Sequence, residues 1–333
     1  MNGVMAPLMP PVPLVRIPDD WTVWAFADAH GVLSGLESGL RAAGLVDDRL
    51  HWAAPPGTAL VGCGDYIDRG ARSREVIDLL RRLESEALEA GCRTVFVRGN
   101  HEHELLMVRG GYEAWFDVWL EFGGRATLES FECAHLEPDG PRIALDAIEA
   151  ASPGIFDWLA GLPHAARWRD TLFVHGGLPP GQGVEDLARR SNDHLWVRGD
   201  FLTTAWSSGA FARYEEAGVR RVVFGHTAMA HGPQLFHGGR ALGLDANACG
   251  SLRRDGAQSM LTLVELRDPG PFERARYVIV PTDRAPDREG AHGAGDGRRD
   301  EVHRLVAAEP GVRLVMRDGP RTGTAIEAAG PGR

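Results

Sequence analysis

The chain lacks the marks of several common protein classes. Its four cysteines, Cys63, Cys92, Cys133 and Cys249, form no CxxC pair, which argues against a thiolate zinc module. Two of them sit in apolar runs, so they are read as small core residues in a reducing compartment. No apolar run approaches the ~20 residues of a membrane span. The apolar start, MNGVMAPLMPPVPLV, holds four prolines and no basic segment, and neither a signal peptide nor a span is expected of it. Positive charge is also in deficit. With 36 Lys and Arg against 46 Asp and Glu, the net charge is −10, which excludes a non-specific grip on nucleic acid or an anionic membrane. There is no internal repeat. An anionic substrate would need a local source of positive charge, which metal ions can supply.

What the 333 residues do contain is ordinary for a globular chain, 44% hydrophobic and 25% charged, enough for one large domain or two small ones. Short apolar runs recur, and each ends in polar residues. WTVWAFADAH ends at Asp28 and His30, TALVGCGD at Asp65, and RTVFVRGNH at Asn100 and His101. TLFVHGG ends at His175, RRVVFGHT at His226, and RALGLDANA at Asp245 and Asn247. Runs of about five residues rich in Val, Phe and Leu fit buried strands. Between them, 73–90 places Val76, Leu80, Leu83 and Ala87 on one helical stripe stopped by Gly91. A shorter helix is expected over 34–46, ending near Gly44. Another is expected over 112–122, with Trp115, Phe116, Trp119 and Phe122 as a core stripe, and one over 152–161 with Ser152 as cap and Pro153 in the first turn. Strands alternating with helices predict an α/β layered fold, in which ligands collect at the carboxyl ends of strands. The composition divides the chain into a loose arm (1–19), a catalytic domain (20–283) and a Gly-rich, largely flexible tail (284–333). Within the tail, 284–300 reads as a linker, GVRLVMRD as a short strand, and the last dozen residues as disordered.

Taken singly, each polar strand end has a structural explanation. An Asp before a helix is usually a cap, and an Asn beside Gly is usually a turn residue. Five independent strand ends bearing carboxylate, imidazole or carboxamide groups point instead to a metal site. Mixed nitrogen and oxygen donors suit Mn²⁺, Fe²⁺ or Zn²⁺ in an open site. Six or seven donors are too many for one tetrahedral ion. They suit two ions, which at about 3.5–4 Å apart can clamp the attacking and leaving oxygens of an in-line phosphoryl displacement.

The ordered series DAHG, GDYIDRG, GNHE, FVHGGL and FGHT resembles the calcineurin-like metallophosphoesterases. GDYIDRG and GNHE narrow the resemblance to the PPP-type Ser/Thr phosphatase branch. FGGRATLESF, LFVHGGLPPG and LWVRGDF are similar to its bacterial members, and the likeness covers about residues 20–267. It implies a four-layer sandwich of two mixed β-sheets flanked by helices. It implies two divalent ions, with manganese first and iron or zinc possible. Asp28 and His30 would bind the first ion, Asp65 would bridge, and Asn100, His175 and His226 would hold the second. Arg69 and Arg198 would grip the phosphate. His101 would be the general acid, oriented by Asp68, and Glu102 would orient its neighbours. His103 and Glu104 are given no chemistry. The first motif departs from the family in having Ala27 where Gly is usual. The eukaryotic SAPNY motif is missing, with LDANACGS in its place and Ala248 at the tyrosine position, so eukaryote-like regulatory subunits are not expected.

The leading expectation is hydrolysis of phosphoserine or phosphothreonine in proteins by an in-line hydroxide held between two ions. A symmetrical dinucleoside-polyphosphate hydrolase is the alternative, and Trp196 and Trp206 are its candidate base-stacking residues. A non-catalytic protein that binds phosphorylated partners is the third reading. His231 and His237 read as solvated loop residues. A phosphoprotein or small phosphorylated partner in the cytoplasm is expected, with no nucleic acid and no membrane. The sequence leaves the oligomeric state open.

Overall fold

The structure is a computed structural model that describes residues 14–187, 192–251, 257–268, 270–282, 313–318 and 324–329. Thirteen strands are found among them: β1 (Val15–Ile17), β2 (Thr22–Phe26), β3 (Thr58–Gly62), β4 (Arg93–Phe96), β5 (Ala166–Trp168), β6 (Thr171–Phe173), β7 (Arg221–Phe224), β8 (Gln234–Phe236), β9 (Ala241–Gly243), β10 (Met260–Leu266), β11 (Arg276–Pro281), β12 (Arg313–Asp318) and β13 (Thr324–Ala329). Seven helices cover one flank: α1 (Leu33–Ala43), α2 (Ser73–Glu89), α3 (Asn100–Arg109), α4 (Trp115–Trp119), α5 (Arg125–Ser130), α6 (Pro141–Ala151) and α7 (Ile155–Gly161).

The strands form two mixed sheets. One runs β12-β13-β11-β10-β2-β3-β4, the other β1-β5-β6-β7-β9-β8. The β2, β3 and β4 strands are parallel neighbours, as are β6, β7 and β9. Side chains alternate across a strand, and this alternation sorts the core into layers. Val23, Ala25, Ala59 and Val61 face Phe173, Val223 and Leu242 of the other sheet. The intervening Trp24, Phe26 and Leu60 pack under α1 and α2 with Leu36, Leu40, Val76, Leu80 and Leu83. On the far side, Val222 and Phe224 meet Phe201, Phe211 and Tyr214. Helices, sheet, sheet and helices make the expected four layers. Burial of β2, β3, β6, β7 and β9 on both faces explains why those runs read as continuously apolar.

Several expectations change on inspection. The arm is not loose throughout, because β1 pairs in parallel with β5 and buries Ile17; residues 1–13 lie outside the described residues. The linker at 284–300 also lies outside them. The tail supplies β12, as GVRLVMRD suggested, and also β13, within the stretch read as disordered. That strand pairs with β11, whose backbone groups would otherwise form an open edge. Only the middle of the 112–122 stripe is core: Phe116 and Trp119 are buried, while Trp115 and Phe122 are 41% and 48% exposed. The chain leaves α geometry after Trp119 for a wider turn over Leu120–Gly124, in which Gly123 has φ 117°, so the 3.6-residue spacing fails there. The helix expected from Ser152 starts at Ile155 behind Gly154, at φ 75°; the Ser152 hydroxyl instead accepts a bond from Arg81 at 3.0 Å. All four cysteines are free and buried.

Candidate active site

The carboxyl ends of β2, β3, β4, β6, β7 and β9 converge between the sheets. Asp28, His30, Asp65, Asp68, Asn100, His101, His175 and His226 come together there, all buried. The loops that carry them are laced to one another. Asp28 N–H donates to Gly64 O (3.1 Å), His30 N–H to Asp65 O (2.9 Å), and Gly70 N–H to His30 O (2.9 Å). Glu102 performs the expected orienting. One of its oxygens accepts from the backbone of Asp65 and Gly99, both at 2.9 Å. The other accepts from Tyr66 and Ile67 at 2.7 and 3.3 Å. Four backbone donors on one buried carboxylate join GDYIDRG to GNHE. Asn100 and His101 are the first residues of α3 rather than a free-standing turn, with Gly99 as cap. Two motif glycines are there for closeness: a Cβ at Gly99 would overlap Asp65 Oδ1, and one at Gly225 would overlap Asp28 Oδ2. The unusual Ala27 is tolerated because its methyl faces that same Gly225.

The backbone is forced at this place. Asp28, His30, Asp65, Asp68, Arg69, His226 and Asn247 have positive φ between 42° and 70°, seven of the eleven non-glycine residues so placed among the described residues. Such conformations cost about 1–3 kcal/mol each and collect at functional sites. Asp, Asn and His tolerate them better than most residues, so residue type serves backbone and chemistry together.

Ring orientation decides which nitrogens face inward. His30 Nδ1 is 2.8 Å from the Ile67 carbonyl and His175 Nδ1 2.8 Å from the Cys63 carbonyl. A carbonyl only accepts, so each Nδ1 carries the proton and each Nε2 turns a lone pair to the interior. His175 Nε2 lies 3.3 Å from Asp65 Oδ1 and 2.8 Å from Asn100 Oδ1, and His30 Nε2 lies 3.5 Å from Asp65 Oδ2. Two groups of donor atoms fall within metal-ligand range of one another: His30, Asp65 and His101, and Asp65, His175 and His226. Asp65 belongs to both. The His226 backbone N–H donates to both oxygens of Asp28, at 3.0 and 2.9 Å.

The charge balance fits cations. Burial and the charges of Asp245 and Asp65 push the Asp28 carboxyl well above its usual range. Burial works against an ionised Asp65, yet the imidazoles of His175 and His101 hold it well below that range. Burial and Arg69 hold His30 far below its normal value, and burial, His175 and Arg198 bring His226 down to about 2. Neutral imidazoles and crowded carboxylates are the form in which these groups bind a divalent ion.

Beside the cluster stands the His101–Asp68 pair, with His101 Nδ1 2.7 Å from Asp68 Oδ2. Asp68 is locked by Trp119 Nε1 at 3.0 Å and the Thr127 hydroxyl at 2.6 Å. Burial alone would lower the His101 pKa, but the carboxylates of Asp65 and Asp68 outweigh it and raise it. Arg69 reaches His30 Nε2 (2.7 Å) and His101 Nε2 (2.8 Å). From the other side, Arg198 Nε donates to His226 Nε2 at 2.8 Å. Asp245 is a buried carboxylate that the sequence reading left without a role, although its strand end had been noted. It accepts from Asn247 N–H at 2.9 Å and raises the Asp28 carboxyl.

A family model described as calcineurin-like phosphoesterase matches residues 22–230. The chain belongs to the calcineurin-like phosphoesterases. It is 26% identical over 204 residues to Shewanella-like protein phosphatase 2 of Arabidopsis thaliana, covering 53% of this chain and 51% of that protein. It is 28% identical over 172 residues to the symmetrical bis(5'-nucleosyl)-tetraphosphatase of Stutzerimonas stutzeri, covering 51% and 49%. The chain thus spans about half the length of these two relatives. Its fold matches that of a cold-active protein-tyrosine phosphatase of a psychrophilic Shewanella, with TM-score 0.54 and 21% identity over 81% of this chain and 80% of that one. Among the described residues no helix is long and apolar enough to cross a membrane.

Proposed function

We propose that the protein is a metal-dependent phosphomonoesterase acting on phosphoserine or phosphothreonine in proteins. The observation that carries this reading is the buried His101–Asp68 pair set beside a donor cluster centred on Asp65, with a guanidinium on either side. In this reading Asp28 and His30 hold one ion, Asn100, His175 and His226 the other, and Asp65 lies between them. Manganese is the ion proposed, iron and zinc being suited to the same donors. Such ions, when bound, bring the pKa of water toward neutrality and offset phosphoryl charge.

The chain's own residues supply the rest. Arg69 and Arg198 present planar N–H forks that match phosphate oxygens. Arg69 now donates to His101 Nε2; a phosphate would draw the guanidinium to its own oxygens and release that nitrogen to carry a proton. His101 then delivers the proton from Nε2 to the leaving alkoxide, while Asp68 holds Nδ1–H and favours the imidazolium. The plant relative's description as a protein phosphatase supports the substrate class, and four buried free thiols support a reducing, cytoplasmic setting.

Dinucleotide hydrolysis is the second reading, and Trp196 favours it. That ring is 38% exposed and stands edge-on to His226 at 6.1 Å. Trp206 does not join it, being buried with its indole N–H on Glu215 at 2.9 Å, so one of two expected stacking rings is interior. The deciding assay runs metal-stripped protein with and without Mn²⁺ on a phosphothreonine peptide and on diadenosine tetraphosphate. Metal-dependent release from the peptide alone supports the proposal. A much higher kcat/KM on the dinucleotide replaces it, and silence on both with metal bound favours a non-catalytic binder.

A further inference from the structure

Three histidines outside the cluster form a second polar layer. His164 Nδ1 and His194 Nε2 are 2.9 Å apart. His103, on α3, has Nε2 3.1 Å from Asn192 Nδ2, so that nitrogen accepts from the amide. Burial and the charge of Arg98, a buried side chain just past β4, hold His103 and His164 down to about 4. Those two rings are therefore neutral, each able to act as donor at one nitrogen and acceptor at the other. They are not a third set of metal donors: among the described residues, the metal-capable groups are the two that share Asp65.

What the histidines share is the segment they touch. Asn192 and His194 lie in 192–198, the stretch that brings Trp196 and Arg198 to the mouth of the site. The His194 carbonyl also accepts from Gly176 N–H at 2.8 Å, one residue beyond His175, and Val197 N–H closes the turn on Asp193 O at 2.8 Å. The segment is thus fastened to α3, to the turn before β5 and to the turn after β6. Arg198 is exposed, and its Nε donates to His226 Nε2 at 2.8 Å. A long side chain on a loose base would lose much of its binding energy to ordering. Directional bonds at the base remove part of that loss.

We propose that the His103–Asn192 and His164–His194 pairs form a bracket that positions Arg198 for phosphate capture, a role that rests on Arg198 gripping phosphate as read above. The four are positioning residues and touch no substrate. An apolar contact could hold the segment in place. Imidazole pairs fix its rotation as well, because each bond has one donor and one acceptor on set axes.

The test uses Mn²⁺-loaded full-length protein and p-nitrophenyl phosphate. Arg198→Ala is expected to raise KM about tenfold, in line with the loss of one charge-assisted hydrogen bond. His194→Ala should raise KM similarly while kcat stays within about twofold. The double variant should be no worse than Arg198→Ala alone, the signature of residues acting through one another. His194→Gln, whose terminal nitrogen can replace Nε2, should restore most of the loss. Hydrogen exchange over 192–203, read on protein without metal, should quicken in His194→Ala and return with Gln. If Arg198→Ala raises KM and His194→Ala does not, or if the two effects add, the bracket is overturned. Should Arg198→Ala leave KM unchanged, the phosphate-gripping reading fails, and exchange alone judges the bracket. Unaltered exchange then overturns it, and faster exchange keeps it as an anchor of the segment. If His194→Ala does not fold, His164→Ala and Asn192→Ala carry the same comparison.

Discussion

The two guanidiniums approach the same cluster from opposite sheets, and they stand on different ground. Arg69 rises from a loop laced at every residue: its own N–H donates to Gly123 O at 3.1 Å, and the neighbouring Asp68 and Gly70 are bonded to Ser73, Thr127 and His30. Arg198 stands at the start of a five-residue helix, Gly199–Thr203, exposed beyond a bracket of polar contacts. The side built on the seven-stranded sheet is tied by these bonds and holds the His101–Asp68 pair. The side built on the six-stranded sheet presents His175 and His226 from short strands, then opens toward solvent through Trp196 and Arg198. Under the proposed function, the contrast becomes a division of labour, in which the laced side would set the chemistry and the open side would receive the substrate.

The sharpest way to break that contrast is His101→Asn. If the laced side carries the chemistry, kcat falls about 10²–10⁴-fold with metal content unchanged by elemental analysis. A change confined to KM would sink the assignment. Next comes Glu102→Gln, which puts an amide NH₂ against backbone donors. About 2–3 kcal/mol of stability should be lost in urea titrations, and a neutral result would mean the loops are not held by this carboxylate.

Glu104 tests the laced side by pH. It is buried, neither oxygen has a hydrogen-bond partner, and burial pushes its carboxyl up to about 7. Because its folded pKa is raised, the folded state keeps a proton that the unfolded chain releases, and stability falls as pH rises from about 4.5 to about 7. Glu104→Gln should match the parent at pH 4 and exceed it by up to about 3 kcal/mol above pH 7. A constant difference across pH would refute the protonation account. The smallest effect is expected from Ala27→Gly. The methyl against Gly225 is worth about 1 kcal/mol, and kcat should not move.

Much of this contrast was legible in the sequence, and the reason is local. Strand, tight turn and donor fall within a few residues in DAHG, GDYIDRG, GNHE, FVHGGL and FGHT, so order along the chain already lists the strand ends. Asp245 escaped because nothing within its own run distinguishes a caged carboxylate from a turn residue; its relation to Asp28 exists only across the sheets. Trp206 and His237 escaped for a similar reason. His237 was read as solvated, yet it packs against Phe201 and Trp206 at 5.0 and 5.6 Å between ring centroids, contacts that span more than thirty residues of chain. The exposed Phe122 was missed because a wider turn interrupts the helical spacing after Trp119, and Trp115 because it stands at the first position of α4.

The forced backbone at the strand ends has a consequence for how such a site can change over time. At positions where φ is positive, Asp, Asn, His and Gly are the favoured occupants, although Arg69 holds φ 67° in the same site. A lineage could exchange an aspartate for an asparagine there, but a step to a β-branched residue such as Thr or Val would strain the backbone. The donor set is therefore constrained by geometry as well as by selection on activity. For the same reason, alanine is a poor neutral probe at Asp28, Asp65 or His226. Asparagine and glycine, which fit the turn, separate lost chemistry from lost shape.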